Sequence, residues 1–185
     1  MTATPASPTG GHPYTVGMPT TVVSRRVQPL TAAAFAPLGW LPVSDTDVTD
    51  GENTLYFEWA DPHLNVISHA ASEIDHTERG APLCTVLYRH ATHTQALLVL
   101  NVDAVVACAP PNVTFSDPSD LDAIVAFRLR PLDTFVLHRG TWHWGPFPLG
   151  GEPVQLLNVQ GRRYAEDNDS VDLFARTGAG VEVLP

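Results

Sequence analysis

The stretch Cys84–Ala109, CTVLYRHATHTQALLVLNVDAVVACA, decides the fold class of this chain. It contains three short runs rich in Val, Leu and other strand-forming residues, namely Cys84–His90, Gln95–Val99 and Ala104–Ala109. Polar and turn-forming residues separate the runs, and each run has the length of a typical strand. Short strands joined by tight turns are typical of an antiparallel sandwich or barrel. We therefore expect an all-β fold.

Strand-like segments continue on both sides of this stretch. Five further runs combine β-branched, aromatic and leucine side chains between clusters of Gly, Pro, Asn and Asp, which favour turns. They are Asn53–Trp59, Leu64–Ala70, Ile124–Arg128, Asp133–Leu137 and Pro153–Gln160. With the first three, they give about eight strands, which is enough for a closed β fold.

One short helix is predicted between residues 31 and 37. Thr31 can cap a helix through its hydroxyl group, the three alanines that follow it favour helical backbone, and Pro37 stops the helix. Most other connections contain Gly, Pro and Asn and have few residues able to continue a helix. We therefore expect one or two short helices in the β fold.

Length and composition indicate one folded domain. The chain has 185 residues, of which 44% are hydrophobic, and its mean hydropathy is −0.01, as in chains that bury a single core. Residues 1–20 are rich in Pro, Gly and Thr, so we predict a flexible N-terminal arm there and a single domain over residues 21–185. Neither a secretory signal nor an apolar stretch of about 20 residues is visible, and we expect a cytoplasmic protein that does not enter a membrane.

Charge and residue usage exclude several classes of function. The net charge is −10, from twenty acidic and ten basic residues, which disfavours nucleic acid as a partner. All ten basic residues are Arg, so lysine Schiff bases, pyridoxal phosphate attachment and the P-loop lysine are excluded. Cys84 and Cys108 lie apart and are flanked by apolar residues, so we expect buried free thiols.

Two histidine-rich segments are the candidate site. In the first, extended backbone would place His93 and Gln95 on one face, and His90 would join them only if a turn or bulge intervenes. The second runs from His138 through a Gly-containing turn to His143. Imidazoles brought together from adjacent strands, with one amide or carboxylate, suit a divalent transition metal.

The other polar clusters have simpler interpretations. Four histidines lie outside these segments: His12, His63, His69 and His76. They are interpreted as ordinary core or surface residues. The acidic residues between Glu166 and Asp172 are interpreted as a solvated loop. The chain has no nucleophile elbow, glycine-rich phosphate loop or HExxH sequence, so hydrolase and kinase templates do not fit.

Several motifs together resemble the ureidoglycolate lyase family of the cupin superfamily. They span about Val27–Leu173, and the His-Arg-x-x-Trp-His element is the strongest. The motifs are Val27-Gln-Pro-Leu-Thr, Phe35-Ala-Pro-Leu-Gly, Arg89-His90 followed by Thr94-Gln95-Ala, His138-Arg-Gly-Thr-Trp142-His143, and Asp167-Asn168. The sequence departs from the family pattern at Tyr88, Ala91 and His93, where the family has an acid, a proline and a small residue.

The resemblance implies a fold and a reaction. The implied fold is the double-stranded β-helix barrel of cupins, assembled as a homodimer. The implied reaction is cleavage of (S)-ureidoglycolate, a small-molecule substrate, to glyoxylate and urea, a carbon–nitrogen lyase step of the amidine-lyase type in allantoin and purine breakdown. Divalent metal dependence is also implied, and the family's pattern falls on His90, Gln95, His138 and His143.

From these residues we predict a metal-assisted lyase. The metal, which the sequence leaves open among Ni, Zn, Fe and Mn, would be bound by His93, Gln95 and His143, with His90 as a fourth candidate.

The remaining predicted site residues would act on the substrate. His138 would take the hydroxyl proton, and Arg89 or Arg139 would hold the substrate carboxylate unless they pair with surface acids. Tyr88 lies beside the first histidine segment, and Trp142 would wall the substrate pocket or simply pack.

Two alternatives stay open at this point. One is a metal-dependent cupin isomerase, dehydratase or decarboxylase acting on another small hydroxy or keto acid, which Tyr88 and His93 would favour. The other is a non-catalytic cupin that binds a small acid.

Overall fold

Two curled β-sheets dominate the computed structural model, which describes residues 21–185. The predicted N-terminal arm over residues 1–20 lies outside the described residues. The strands are β1 (Thr21–Pro29), β2 (Gly39–Trp40), β3 (Pro62–His69), β4 (Asp75–His76), β5 (Pro82–Cys84), β6 (Val86–His90), β7 (Gln95–Val99), β8 (Ala104–Ala109), β9 (Val125–Leu129), β10 (Thr134–Leu137), β11 (Trp142–Pro148), β12 (Val154–Gly161), β13 (Asn168–Asp172) and β14 (Ala179–Leu184).

Helical structure in residues 21–185 is short. It consists of α1 (Ala32–Phe35), α2 (Leu173–Thr177) and two 3-10 helices, Ala71–Glu73 and Pro118–Ala123. The predicted cap of the first helix is confirmed, because the Thr31 side chain accepts a hydrogen bond from the backbone of the first turn. Within this part of the chain, no helix has the length and apolar character needed to cross a bilayer.

The strand order confirms the double-stranded β-helix. One sheet has the order β13-β6-β11-β8-β9-β1-β14-β5-β4, and the other has the order β2-β10-β7-β12-β3. Eight strands of the two sheets pair with one another in antiparallel fashion. They are β6-β11-β8-β9 in the first sheet and β10-β7-β12-β3 in the second. The chain winds between the two sheets as these eight strands follow one another, which is the winding of cupins.

Seven of the eight predicted strands are present, and one prediction is wrong. Gln95–Val99 and Ala104–Ala109 have the predicted bounds. Asn53–Trp59 is not a strand, since only a single bridge forms there, between Phe57 and His93. The backbone groups of Tyr56 and Glu58 form hydrogen bonds with Thr94 and Thr92 in the loop after β6. No neighbouring strand pairs with this segment.

Two hydrophobic clusters hold the barrel together. One lies between the sheets and the other on the outer face of the larger sheet, so β8 is buried on both faces. Cys108 belongs to the inner cluster and Cys84 to the outer one. Both are free thiols with no exposed surface, and burial raises the pKa of each well above its usual range. The predicted packing role of the cysteines is confirmed.

The barrel interior changes character along its length. On β7, the inward side chains run from Val99 through Leu97 to Gln95, and on β12 they run from Leu156 to Asn158. Because side chains alternate along a strand, both strands present apolar residues at one end of the interior and amides at the other. This polar end holds the candidate site.

Candidate metal centre

A cavity of about 450 Å³ opens into the barrel between the two sheets. It is lined by polar and apolar side chains from both sheets and from the segment before β13: Asn65, Ile67, His69, Tyr88, His90, Gln95, Leu97, His143, Trp144, Gly145, Pro146, Phe147, Leu156, Gln160, Tyr164 and Asn168. Its size suits a small metabolite.

Three buried imidazoles form a cluster here, and two of them, His90 and His143, line the cavity. The ring of His90 lies 4.7 Å from the ring of His93 and 5.5 Å from that of His143, centroid to centroid. His90 ends β6, and His143 lies in the adjacent strand β11, paired with Tyr88. A bend after β6 then carries His93 to the same place. The structure therefore brings together the histidines that the sequence predicts, through the turn that the prediction required.

The hydrogen bonds of two imidazoles leave lone pairs available. His143 Nδ1 lies 3.1 Å from the carbonyl oxygen of Thr141, and a carbonyl only accepts, so Nδ1 carries the hydrogen. His93 Nδ1 lies 3.4 Å from the Thr92 hydroxyl oxygen and 3.3 Å from a carboxylate oxygen of Asp167, and because the Thr92 hydroxyl donates to Asp167, both oxygens are acceptors and Nδ1 carries the hydrogen. Nε2 of each ring is therefore unprotonated in the neutral form. This is how metal-binding histidines are held in proteins.

Three buried polar atoms at the cluster have no hydrogen-bond partner among the described residues. They are His90 Nδ1, His93 Nε2 and Gln95 Oε1. An unpaired buried polar atom costs about 1–3 kcal/mol, so three together indicate a bound group that satisfies them. Nitrogen and amide oxygen donors fit a divalent transition metal.

An amide network fixes the orientation of Gln95. Its Nε2 donates to Asn158 Oδ1 at 2.9 Å and to Gln160 Oε1 at 3.3 Å. Asn158 in turn donates to Asn65 Oδ1 at 2.7 Å. Because the Gln95 nitrogen is committed to this network, its oxygen is the atom left for a ligand. The sequence did not point to the other three amides, which lie on β3 and β12.

Burial keeps the imidazoles neutral. The pKa of His90 falls to about 3 because burial disfavours the charged ring and because His143 and His93 lie close by. Burial likewise lowers the pKa of His143 to about 4, and it lowers the pKa of His93 despite the neighbouring carboxylate of Asp167. Neutral imidazoles are the form that binds metal.

These shifts predict a pH dependence of stability. In the unfolded chain the imidazoles titrate near pH 6.5, so below that pH the unfolded state binds more protons than the folded one. For the metal-free protein, we expect the free energy of unfolding to be unaffected by His90 and His143 above about pH 7.5. It should fall as the pH drops from about 6.5 towards 4, by at most about 1.4 kcal/mol per pH unit for each histidine.

Urea denaturation of metal-free protein between about pH 4.5 and 7.5 measures this effect. The variant His143→Gln, which has one titrating imidazole fewer, should lose stability less steeply on acidification than the wild type. Equal slopes for the two proteins would contradict the assignment of a buried, neutral His143.

Asp167 is a site residue that the sequence analysis missed. The interpretation of residues 166–172 as a solvated loop is wrong for it, because its carboxylate accepts the backbone N–H groups of Ala91 and Thr92 and the Thr92 hydroxyl. Burial acts to raise its pKa, but these hydrogen bonds and His93 outweigh that effect, and the pKa is lowered. The sequence offered only the Asp167-Asn168 motif as a signal.

Asp167 also lies within ligand distance of two of the three histidines, and His143 is not part of that group. One potential ligand atom from each of His90, His93 and Asp167 lies within 4.8 Å of the others. Its oxygens already accept three hydrogen bonds from the loop after β6. The carboxylate is therefore better placed to orient His93 than to bind a metal directly.

His138 and Arg139 do not join the cluster. They line a separate cavity of about 570 Å³, together with Trp40. The His138 ring lies 5.3 Å from Trp40, and the Arg139 guanidinium lies 4.1 Å above the ring of Tyr56. Both residues sit in the turn between β10 and β11, outside the barrel interior. The structure does not place them where the predicted proton transfer or carboxylate binding would occur.

Arg89 and Trp142 are also directed away from the cluster. They line a third cavity, of about 400 Å³. The Arg89 guanidinium lies 4.2 Å from the Trp142 ring centroid and 2.7 Å from Asp169. Arg89 therefore pairs with a surface acid, which was the alternative to binding the substrate carboxylate. Arg89 directly precedes His90 in β6, and Trp142 directly precedes His143 in β11. Because side chains alternate along a strand, both residues face away from the histidine cluster. Tyr88, two residues before His90, does line the site cavity.

Fold and site together define a cupin: a double-stranded β-helix with a histidine-rich cavity at the polar end of its interior. The family model for ureidoglycolate lyase matches residues 23–181. The chain therefore belongs to the ureidoglycolate lyase family, and this membership makes it a lyase. The match does not favour the isomerase, dehydratase, decarboxylase or non-catalytic alternatives.

Other comparisons add little. No curated protein matches the chain. The oxalate decarboxylase of Lactobacillus farciminis, solved as a formate complex, is 11% identical with a TM-score of 0.39, over 66% of this chain and 31% of that one. Peruvianin-I, a cysteine peptidase from Thevetia peruviana latex, is 13% identical with a TM-score of 0.33, over 72% of this chain and 85% of that one. Neither likeness supports a conclusion about fold or function.

Proposed function

We propose that this chain cleaves (S)-ureidoglycolate to glyoxylate and urea. The reaction is a carbon–nitrogen lyase step of the amidine-lyase type, and it would serve allantoin breakdown in the cytoplasm, with the protein as a homodimer. The observation that carries the proposal is a cavity of metabolite size lined by His90, Gln95 and His143, with the buried His93 ring directly behind His90, in a chain of this family.

The donor set fits a divalent transition metal. His90, His93, His143 and Gln95 would hold it, and their nitrogen and oxygen donors suit Ni, Zn, Fe or Mn. A bound metal would act as a Lewis acid on the carboxylate and hydroxyl oxygens of the substrate. Asp167, hydrogen-bonded to the loop that carries His93, would keep that imidazole in place.

The cavity lining accounts for substrate binding without a cationic side chain. Neither Arg nor any other permanently charged residue appears among the described residues that line it. Arg89 and Arg139, predicted as carboxylate ligands, line other cavities. The substrate carboxylate would therefore depend on the metal, while the amides of Asn65, Gln160 and Asn168 offer donors and acceptors that suit a ureido group.

The proposal is tested by turnover of ureidoglycolate. Metal-reconstituted protein should release urea and glyoxylate in equal amounts and should consume only the (S) enantiomer. Treatment with a chelator should remove the activity, and added metal should restore it. Urea no higher than in a protein-free control, with all four candidate metals, would exclude the proposed reaction.

A further inference from the structure

The outer face of the five-stranded sheet is apolar along β3, β12 and β7. On these strands, the residues that alternate with the inward-facing ones point away from the barrel. The strand registers align six of them in two rows across the sheet, Leu64-Val159-Ala96 and Val66-Leu157-Leu98. None of the six belongs to either hydrophobic cluster, and at the β3 end of the rows the side chains are 63% and 58% exposed. We call this surface the outer face.

No charged side chain stands on the outer face. Besides the two rows, the outward positions of the three strands hold only Pro62, Ser68, Gln155 and Gly161. The chain as a whole has twenty acidic and ten basic residues and a net charge of −10. Two copies of such a chain repel each other, and the repulsion is weakest where the facing surfaces carry no charge. The outer face therefore suits a second copy better than it suits a charged peptide.

β3 is the edge strand of this sheet. It pairs with β12 on one side, and no strand in residues 21–185 pairs with its other side. Proteins usually protect edge strands with charged residues, prolines or bulges, because an unprotected edge binds other chains. Apart from Pro62 at its start, β3 has none of these protections over its eight residues, and its register with β12 is continuous. A partner that covers β3 would provide the missing protection.

The outer face is large enough for a specific dimer. From strand and residue spacings, the three strands present a surface of about 20 Å by 20 Å. Leu100 and Leu132 are exposed at the end of the sheet where β7 ends, and they extend the apolar surface. The total is roughly 500 Å² per copy, and a specific interface needs at least about 1,000 Å² from both partners together. Apolar patches of this size on a single chain usually mark interaction sites.

We infer that the outer face is the interface of a homodimer. The inference rests on the homodimer of the proposed function and assigns the surface that forms it. Two copies pack β3, β12 and β7 against each other around a two-fold axis, so that the same patch serves on both sides. The inward side of β3 carries Asn65, which accepts a hydrogen bond from Asn158, the acceptor of the Gln95 amide. A partner on the outer face therefore lies directly behind the amide network of the site.

The inference is tested with Leu64→Glu/Val66→Glu. Sedimentation equilibrium at about 20 μM chain should give the wild type twice the 20.0 kDa chain mass and the variant a single chain mass. We expect the dissociation constant of the dimer to rise by about 1000-fold or more, because the interface would then bury four carboxylates. Both side chains are more than half exposed in the single chain, so far-ultraviolet circular dichroism should show unchanged β structure.

A second variant removes apolar surface without adding charge. Leu64→Thr/Val66→Thr keeps residues that favour strands, and it should raise the dissociation constant by about tenfold or more. If the glutamate variant lost its β structure, this variant would decide by the same measurement.

Val43→Glu/Val48→Glu is the matched control. It also adds two carboxylates at exposed apolar positions, but both lie in the connection between β2 and β3, outside the sheet. Its dimer should dissociate within about threefold of the wild-type constant, once the small added repulsion is screened by salt.

The outcomes separate this inference from the proposed reaction. A monomeric wild type would overturn the inference, and so would a dimer that both β3 variants leave as stable as in the wild type. Equal dissociation of the control and the glutamate variant would also overturn it, since net charge would then explain the effect. Urea release is measured independently, so a dimer that depends on the outer face but releases no urea would contradict the reaction alone.

Discussion

The double substitution His93→Ala/His143→Ala is expected to abolish metal binding and to lower the rate of urea release by about 1000-fold or more, equivalent to about 4 kcal/mol of transition-state stabilisation. The two rings come from different elements, a loop and strand β11, and each keeps an Nε2 lone pair for the metal. Their removal leaves His90 and Gln95, and two donors rarely retain a divalent metal.

Elemental analysis and urea assays on the purified variant measure both effects. The control is His76→Ala, which removes an exposed histidine of β4 outside the cavity lining. It should bind as much metal as the wild type. Far-ultraviolet circular dichroism should show the same β structure in all three proteins. Full metal content in the His93/His143 variant would show that the donor set lies elsewhere.

The substitution Asp167→Asn is expected to weaken metal binding by about 10- to 100-fold, the usual effect of losing the partner of a metal-binding histidine. The Asp167 carboxylate accepts hydrogen bonds from Ala91 and Thr92 and contacts His93 Nδ1. An Asn side chain has one acceptor oxygen and one NH2 group, so it cannot make all of these contacts. The His93 ring would lose its fixed orientation.

Competition with a chromogenic chelator measures the change in metal affinity. Asp169→Asn is the matched control, because Asp169 lies two residues away and pairs with Arg89 outside the site cavity. Its affinity should stay within about threefold of the wild type. Equal affinities for Asp167→Asn and the wild type would mean that Asp167 does not orient His93.

Much of the fold was predictable because it depends on local pattern. Short runs of strand-forming residues between turn residues predicted seven strands correctly. The capping residue Thr31 and the alanines after it predicted helix α1. The failure at Asn53–Trp59 has a non-local cause. A run with strand-like composition needs a partner, and this one lies against the loop before β7 instead.

The metal cluster was predictable in its members but not in its surroundings. His90, His93 and Gln95 lie in one short segment and His143 lies in a second histidine-rich segment, so their composition pointed to a site. Asp167 reaches the cluster from about 75 residues away in the chain, and no local pattern predicts such a contact. The same holds for the amides of β3 and β12 that orient Gln95.

Two of the other assignments could have been refined from strand geometry. Arg89 directly precedes His90 and Trp142 directly precedes His143, and alternation places such neighbours on opposite faces of a strand. The same rule places Tyr88 with His90.

The most direct test of the metal centre is the metal content of the purified wild-type protein. Elemental analysis by mass spectrometry, after reconstitution with Ni, Zn, Fe or Mn in turn and removal of loosely bound ions, should give close to one equivalent per chain for at least one metal. We expect this result because the buried atoms of His90, His93 and Gln95 have no hydrogen-bond partner among the described residues. Less than about a tenth of an equivalent for every metal would contradict it.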